Sequence, residues 1–136
     1  MYKTILVPVE MSHIEIGKSM IEVAKEQGGG DARIILLHVM DDIPGWIAAE
    51  IPSGILENSR QSVFQDLQAI ATAASVKADV EVRSGHPYKA ILHKAEEVEA
   101  DLIIIASHKP GLQDYLIGST AAKVVRHARC SVLVVR

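Results

Sequence analysis

The run Leu102-Ile103-Ile104-Ile105 is aliphatic at every position, and this pattern indicates the fold class of the chain. A strand with one face in water alternates apolar and polar residues, whereas a strand buried on both faces reads as a continuous apolar run. Residues 79–83 do alternate, with Val80 and Val82 as the apolar positions, which favours an edge strand. Three further runs are continuous: Ile5-Leu6-Val7, Ile34-Ile35-Leu36-Leu37 and Val132-Leu133-Val134-Val135.

The segments between these runs have helical spacing. In the longest, Leu56, Val63, Leu67 and Ile70 recur three, four or seven positions apart and form one apolar stripe. Strands that alternate with helices imply right-handed crossovers, so the sequence predicts a five-stranded parallel sheet with helices on both faces, an α/β fold. The predicted strands are residues 3–9, 33–39, 79–84, 101–106 and 131–135, and the predicted helices are residues 13–27, 55–75, 87–98 and 119–127.

Length and composition exclude several classes of protein. The 136 residues are the size of one domain, so we expect a single domain over residues 1–136. A net charge of −3 without a basic stripe argues against a nucleic-acid binder. No apolar run approaches the roughly 20 residues that span a bilayer, and the apolar stretch near Met1 is too short for a signal peptide. The one cysteine, Cys130, has no partner for an internal disulfide, so we expect a cytoplasmic protein without membrane insertion.

The connection over residues 41–54 is unusual, because it is long and apolar and contains Pro44, Trp46 and Pro52. Connections of this length in a compact domain are commonly functional or bind a partner. The segment is therefore a candidate interaction surface.

The richest candidate for ligand chemistry lies over residues 106–120. In an open parallel sheet, ligands bind beyond the carboxyl ends of the strands, where the strand order reverses. Gly118, Ser119 and Thr120 open the last predicted helix, and the N–H groups of that first turn would point at an anion, with Lys109 adding a positive charge. These residues fit a phosphate cradle, and they fit equally a simple helix N-cap by Ser119.

Residues 12–19 partly match the phosphate-binding loop (P-loop) motif of nucleoside triphosphatases. Gly17-Lys18-Ser19 follows a strand, as in the motif G-x4-G-K-S/T, but the first glycine is replaced by Ser12. Ile14, Ile16 and Met20 have the spacing of an amphipathic helix, which favours a helix over a phosphate loop. A G-x-G-x-x-G dinucleotide fingerprint is absent from the sequence.

The histidines and Cys130 do not form a metal-ligand pattern in the sequence, so we expect no metal site. His38 lies inside a predicted strand and is expected to be a hydrogen-bonded core residue, whereas His108 lies in the candidate loop. Cys130 has no nearby base in the sequence and is expected to be buried rather than nucleophilic. The six histidines are His13, His38, His86, His93, His108 and His127.

Five short stretches, distributed along the whole chain, resemble the universal stress protein family. The most specific is the close, from Gly118-Ser119 through Arg126-His127-Ala128-Arg129-Cys130 to the last aliphatic run. The turn Ala106-Ser107-His108-Lys109-Pro110 is similar to that of the F/G-type branch. The others are the opening Lys3-Thr4-Ile5-Leu6-Val7-Pro8-Val9-Glu10, similar to K-x-I-L-V-P-V-D, the second strand Leu36-Leu37-His38-Val39, and Gly85-His86-Pro87, which matches G-x-P before a helix.

The resemblance implies a Rossmann-like sheet of strand order 3-2-1-4-5 and a homodimer paired through the last strand. Some members of the family bind ATP through G-x2-G-x9-G-S/T, and others bind no nucleotide. In this chain Ala106 and Lys109 replace the first two glycines, and Pro110 removes an N–H group. Glu10 stands where the family has Asp.

By resemblance, the chain is an ATP-binding stress-response or regulatory module with little or slow hydrolysis. The cofactor is ATP or another adenine nucleotide, with Mg²⁺ reaching the site through the phosphates. The alternative is a nucleotide-free stress protein that acts by protein–protein interaction. The implied nucleotide-binding residues are Pro8, Val9, Glu10 and Val39 on the adenosine side, Ala106, Ser107 and His108 beside the ribose and α-phosphate, Lys109 and Gly111 in the altered glycine loop, and Gly118, Ser119 and Thr120 at the β- and γ-phosphates.

Overall fold

A computed structural model describes residues 1–107 and 117–136 of the chain. Five strands form one parallel sheet in the order β3-β2-β1-β4-β5, which confirms the expected strand order. All four neighbouring pairs are parallel. The strands are β1 (Thr4–Pro8), β2 (Arg33–Met40), β3 (Ala78–Ser84), β4 (Leu102–Ala106) and β5 (Ser131–Val135).

The helices lie close to the predicted bounds, with one addition. The four predicted helices are present, and the first ends at Gly28, where Gly29 takes a left-handed φ of 69° and its N–H bonds to the Lys25 carbonyl. A short helix at residues 45–48 lies in the connection that the sequence analysis left without structure. The helices are α1 (Ile14–Gly28), preceded by a 3-10 turn (Met11–His13), α2 (Gly45–Ala48), α3 (Ile55–Ala73), α4 (Pro87–Glu97) and α5 (Ser119–His127).

The hydrophobic core is divided by the sheet into two clusters. One face packs against α1 and α3, and the other against α4 and α5. Adjacent residues of a strand belong to opposite clusters, as for Ile5 and Leu6, and both are fully buried. Burial on both faces explains why the strands read as continuous apolar runs.

The edge strands are β3 and β5, since each pairs with one neighbour among the described residues. The alternating pattern of residues 79–83 correctly predicted the first of them. No helix within residues 1–107 and 117–136 has the length and hydropathy needed to cross a membrane.

Asp101 joins the start of β4 to the start of β1. Its carboxylate oxygens accept hydrogen bonds from the backbone N–H groups of Lys3 and Thr4, each at 2.9 Å. Partial burial of the carboxylate opposes ionisation, but the two N–H donors and the charge of Lys3 outweigh it and lower the pKa of Asp101 below its ordinary value. The ionised carboxylate therefore stabilises the register of the two central strands.

We expect Asp101→Ala to lower the free energy of unfolding at neutral pH by about 1–3 kcal/mol, because two charge-assisted hydrogen bonds are lost. A carboxyl whose pKa is lowered on folding stabilises the fold above its unfolded pKa, about 3.9, and this contribution is lost as the pH falls through the lower folded value. Urea unfolding at several pH values should therefore show a weaker acid dependence in the variant. Asp31→Ala, at an exposed aspartate, is the control; equal losses in both variants would contradict the role of Asp101.

Candidate functional site

A cleft of about 630 Å³, open to solvent, lies at the carboxyl ends of β1 and β4. From this edge α1 follows β1 onto one face of the sheet, whereas α5 follows β4 in the chain and packs on the opposite face. The two connections diverge and leave a crevice between them, which is where open α/β sheets bind ligands. The cleft is lined by Pro8, Val9, Glu10, His13, Ile16, Met20, Leu37, His38, Val39, Pro87, Ile91, Ile105, Ala106 and Thr120.

The floor of the cleft is apolar and rigid. Val9, Leu37 and Ile105 are each at least 95% buried, so their side chains are fixed by the core below them. The Val9 N–H donates to the Leu37 carbonyl at 2.8 Å, which extends the β1–β2 ladder one residue beyond the strand. An apolar, preformed floor of this kind suits the flat face of an aromatic ring.

Val39 turns its backbone polar groups toward the cleft. In a parallel ladder the N–H and C=O of one residue face the same neighbouring strand, and the direction alternates along the chain. The Leu37 carbonyl faces β1, because it accepts from Val9, so the backbone of Val39, two residues on, faces the same side. The last β1 residue in this pairing is Pro8, opposite Leu37. The Val39 N–H and C=O therefore point past the end of β1, where a ligand edge with one donor and one acceptor would fit.

His38 positions the end of β1. Its Nδ1 lies 2.8 Å from the Val9 carbonyl oxygen, and because a carbonyl only accepts, Nδ1 carries the hydrogen. The predicted hydrogen-bonded histidine is thus confirmed, although His38 is half-buried and also lines the cleft. The hydrogen bond fixes the backbone at Val9, just before Glu10 at the exposed mouth.

The start of α5 supplies hydrogen-bond donors on the β4 side. The first helical hydrogen bond runs from the Ala122 N–H to the Gly118 carbonyl, so the N–H groups of Ser119, Thr120 and Ala121 precede the ladder. Thr120 reaches the cleft itself. The N-cap is Gly118, without a side-chain cap bond, so the reading of Ser119 as a simple N-cap is wrong.

Ser107 connects this helix start to the sheet. Its N–H donates to the Val135 carbonyl at 2.9 Å, and its Oγ accepts from the Gly118 N–H at 2.8 Å. A side chain on Gly118 would add a Cβ 3.9 Å from that Oγ, an ordinary contact distance. Ser107 thus holds the first residue before α5 against the end of β4.

The predicted site residues divide into three groups by position. Pro8, Val9, Glu10, Val39, Ala106 and Thr120 line the cleft. Ser107, Gly118 and Ser119 lie beside it at the start of α5 without lining it. His108, Lys109 and Gly111 lie outside the described residues. The binding role of each group stays a prediction.

The cleft residues on α1 and α4 were not predicted from the sequence. Ile16 and Met20 lie four apart in α1, and Pro87 and Ile91 lie four apart in α4, so each pair forms one helix face toward the cleft. The spacing was visible in the sequence, but nothing in it separated a cleft face from an ordinary core face. Also missed were His13, Leu37, His38 and Ile105.

The phosphate-loop imitation at residues 12–19 is helical. α1 begins at Ile14, so the backbone N–H groups there are not splayed into a loop. The Lys18 ammonium pairs with Glu15 at 3.1 Å, and the Ser19 hydroxyl donates to the Glu15 carbonyl at 3.2 Å. The expectation of a helix is confirmed, and a phosphate loop is excluded at this position.

Gly17 has a packing role. An added Cβ would lie 2.8 Å from Val9 Cγ1, closer than two carbons can approach. The glycine lets α1 lie directly against the residue that forms the cleft floor.

Cys130 is half-buried, and burial raises the pKa of its thiol, with the Asp101 charge raising it further. The raised pKa favours the protonated thiol. The expectation of a buried cysteine is met in part, since Cys130 is half-buried. In the part of the chain that the structure describes, no three His, Cys, Asp or Glu side chains are grouped as metal ligands.

Comparison with known proteins gives one consistent family. The model of the universal stress protein family matches residues 1–136. Universal stress protein MJ0531 of Methanocaldococcus jannaschii is 33% identical over 144 residues, which cover 100% of this chain and 83% of that protein. Universal stress protein G of Salmonella typhimurium is 30% identical over 142 residues and covers 100% of both chains.

Solved structures share the fold. The structure of hypothetical protein MJ0577 superposes with a TM-score of 0.79 at 27% identity, covering 99% of this chain and 96% of that one. A universal stress protein from Archaeoglobus fulgidus in complex with dAMP has a TM-score of 0.67 at 17% identity, covering 99% and 98%. A family protein from Arabidopsis thaliana with AMP bound has a TM-score of 0.65 at 20% identity, covering 98% and 90%.

We expect Gly17→Ala to destabilise the protein by about 1–3 kcal/mol through overpacking, although alanine is the better helix former by about 1 kcal/mol. Gly45→Ala is the matched control, because a Cβ at Gly45 meets nothing within 4 Å. Its effect should stay within about 0.5 kcal/mol. Urea unfolding measures both; a Gly17→Ala protein as stable as the control would contradict the close packing of α1 on Val9.

Proposed function

Since this chain belongs to the universal stress protein family, we propose that it binds an adenine nucleotide, ATP, in the cleft between β1 and β4. The observation that carries the proposal is the pairing, within one cleft, of an apolar floor with a helix start whose N–H groups precede the helical ladder.

The adenosine half of the ligand would lie on the β1–β2 side. The ring would rest on Val9 and Leu37, and the backbone of Val39 would bond to its polar edge. Adenine presents a ring nitrogen acceptor beside an amino donor, which matches one N–H and one C=O of a single residue. Pro8 and Glu10 would complete this side, with the Glu10 carboxylate accepting from a ribose hydroxyl.

The phosphates would lie on the β4–α5 side. The N–H groups of Ser119 and Thr120, their hydroxyls and the positive end of the helix dipole favour an anion there. Ala106, Ser107 and Gly118 would flank the chain of phosphates, and His108, Lys109 and Gly111 are proposed to close it. Mg²⁺ would enter with the phosphates rather than through dedicated protein ligands.

The proposed role is that of a stress-response or regulatory module in the cytoplasm. Structures of the same fold hold adenine nucleotides, AMP in one case and dAMP in another, which supports the ligand class. The choice of ATP among adenine nucleotides rests on the hydrogen-bond donors at the start of α5, which favour bound phosphates. The described cleft offers no built metal-ligand set, so the proposal includes at most slow hydrolysis.

A second candidate function is that of a nucleotide-free protein that acts through a partner. The observation that favours it is the exposure of apolar side chains along residues 43–56, including Trp46 at 72%. Titration with ATP separates the two functions.

We expect isothermal titration calorimetry to show saturable binding of ATP. Ser119→Ala should weaken the affinity by about tenfold or more, because a hydrogen bond to a charged group contributes about 1.5–3 kcal/mol. Lys18→Ala is the control and should bind as the wild type does, since Lys18 pairs with Glu15 on the surface of α1.

Three outcomes would contradict this proposal. One is the absence of heat and of a thermal shift at millimolar ATP, which leaves the nucleotide-free function. Another is unchanged affinity in Ser119→Ala, which would exclude a contact between the Ser119 hydroxyl and the phosphates. The third is loss of binding in Lys18→Ala, which would indicate that ATP binds at residues 12–19.

We further propose a homodimer paired through β5. The Val135 carbonyl faces β4, because it accepts from Ser107, so by alternation the backbone of Val134 faces outward. An apolar edge strand with free backbone groups is normally covered, blunted or paired. A second copy of β5 would satisfy these groups.

Val134→Pro should convert the dimer to a monomer, because proline removes the outward N–H while the bonds to β4 remain. Val134→Ala keeps the N–H and should remain dimeric. Light scattering at micromolar concentration reports the mass of both. A monomeric wild type, or a Val134→Pro protein that stays dimeric, would refute pairing through this edge.

A further inference from the structure

The connection from β2 to α3 and the first turn of α3 expose large apolar side chains, which we call the Trp46 face. Trp46 is 72% exposed, Ile55 53%, Leu56 40% and Ile43 39%. Large apolar side chains that are scattered singly need no explanation, but four within residues 43–56 indicate an interaction surface.

A groove beside the Trp46 face gives this surface its shape. It has a volume of about 560 Å³, open to solvent, and lies where β2 ends and α3 begins. It is lined by the apolar residues Met40, Ile43, Ala48 and Leu56, by the acidic residues Asp41, Asp42 and Glu57, which we call its acidic wall, and by Arg60 and Ser84.

The charge of this region is one-sided. Residues 34–59 contain no lysine or arginine, but they contain Asp41, Asp42, Glu50 and Glu57, all exposed. The cation of the groove, Arg60, is directed to β3: its guanidinium donates to the Val82 carbonyl at 3.1 Å and to the Ser84 hydroxyl at 2.6 Å. The groove lining therefore holds three carboxylates against one guanidinium and has a net negative charge.

Three kinds of partner could cover the apolar side chains of the groove: a second copy of this chain, a lipid surface, or a cationic segment of another protein. The acidic charge of the groove distinguishes among them. A second copy of the Trp46 face would bring acidic walls against acidic walls, and an anionic lipid surface would meet the same repulsion. A cationic segment is attracted by the walls while its apolar side chains cover the floor. We propose that the Trp46 face binds a basic amphipathic helix of a partner protein.

The groove fits the two-part chemistry of such a helix. Lysine and arginine place their aliphatic stems on apolar surface and keep the charge at the polar rim. The stems would lie along Ile43 and Leu56, with the charged ends at Asp41, Asp42 and Glu57. Leucine side chains on the same helix face would cover Trp46, as in other helix-in-groove complexes.

The surface is separate from the nucleotide cleft, although the two are neighbours on β2. Val39 lines the cleft, and Met40, the next residue, lines the groove. Binding of the basic helix involves none of the residues proposed for ATP, so it holds whether or not nucleotide is bound.

Trp46 is the only tryptophan in the sequence, so its fluorescence reports this surface alone. The probe is a synthetic amphipathic peptide of about 18 residues, roughly five helical turns, with leucine on one face and lysine on the other. We expect a saturable blue shift that weakens as the salt concentration rises. The same peptide with glutamate in place of lysine should give no shift.

Variants of the acidic wall locate the binding. Asp41→Asn/Asp42→Asn/Glu57→Gln should weaken peptide affinity by about tenfold or more, because complementary charges are removed from one surface. The control Glu26→Gln/Asp31→Asn/Asp66→Asn removes as many exposed acidic charges elsewhere and should bind within about twofold of the wild type. Trp46→Ala, followed with a labelled peptide, should bind more weakly than the wild type.

Four results would overturn the proposal. Equal binding of the lysine and glutamate peptides would show that charge does not select the occupant. An equal loss in the control variant would indicate attraction to the net charge of the protein alone. Self-association that Trp46→Ala abolishes would assign the face to a second copy. A blue shift with phosphatidylglycerol vesicles and none with the lysine peptide would assign it to lipid.

Discussion

The structure depends on the burial of β1 and β4 side by side at the centre of the sheet. Leu6 and Ile103 are opposite each other in the ladder and have no exposed surface. Strands buried on both faces need helices on both faces, and right-handed crossovers then place the helix after β1 and the helix after β4 on opposite sides. The crevice at their carboxyl ends is a geometric consequence of that divergence.

The arrangement of the strands and helices determines which groups line the cleft. Its floor is the edge of the core, so Val9 and Leu37 are fixed before a ligand arrives, and the His38 hydrogen bond fixes the backbone above them. Its polar side is the start of α5, held to the end of β4 by Ser107. Preorganisation of both sides lowers the entropy cost of binding for a ligand that enters the cleft.

The sequence predicted the parts of the fold that follow a period. Continuous aliphatic runs predicted the four strands other than β3, alternation predicted β3, and glycines marked the end of α1. The short helix α2 was missed because four residues are too few to show a period. The close packing of α1 against Val9 could not be predicted from the sequence either. In the sequence Gly17 looks like part of a phosphate loop, whereas in the structure it allows α1 to contact Val9. Part of the cleft lining on loops and strand ends could be predicted, but Leu37 and Ile105 and the residues on α1 and α4 look like core positions in the sequence.

We propose that one cleft holds adenine on the β1–β2 side and phosphate at α5. Titration of ¹⁵N-labelled protein with ATP, followed by amide NMR shifts, tests this placement of the ligand. We expect the amide signals of Val9, Val39, Ala106 and Thr120 to shift together along one saturation curve, while those of Ala100 and Cys130, at the opposite edge of the sheet, do not shift. Shifts centred on Lys18, or none at saturating ATP, would contradict it.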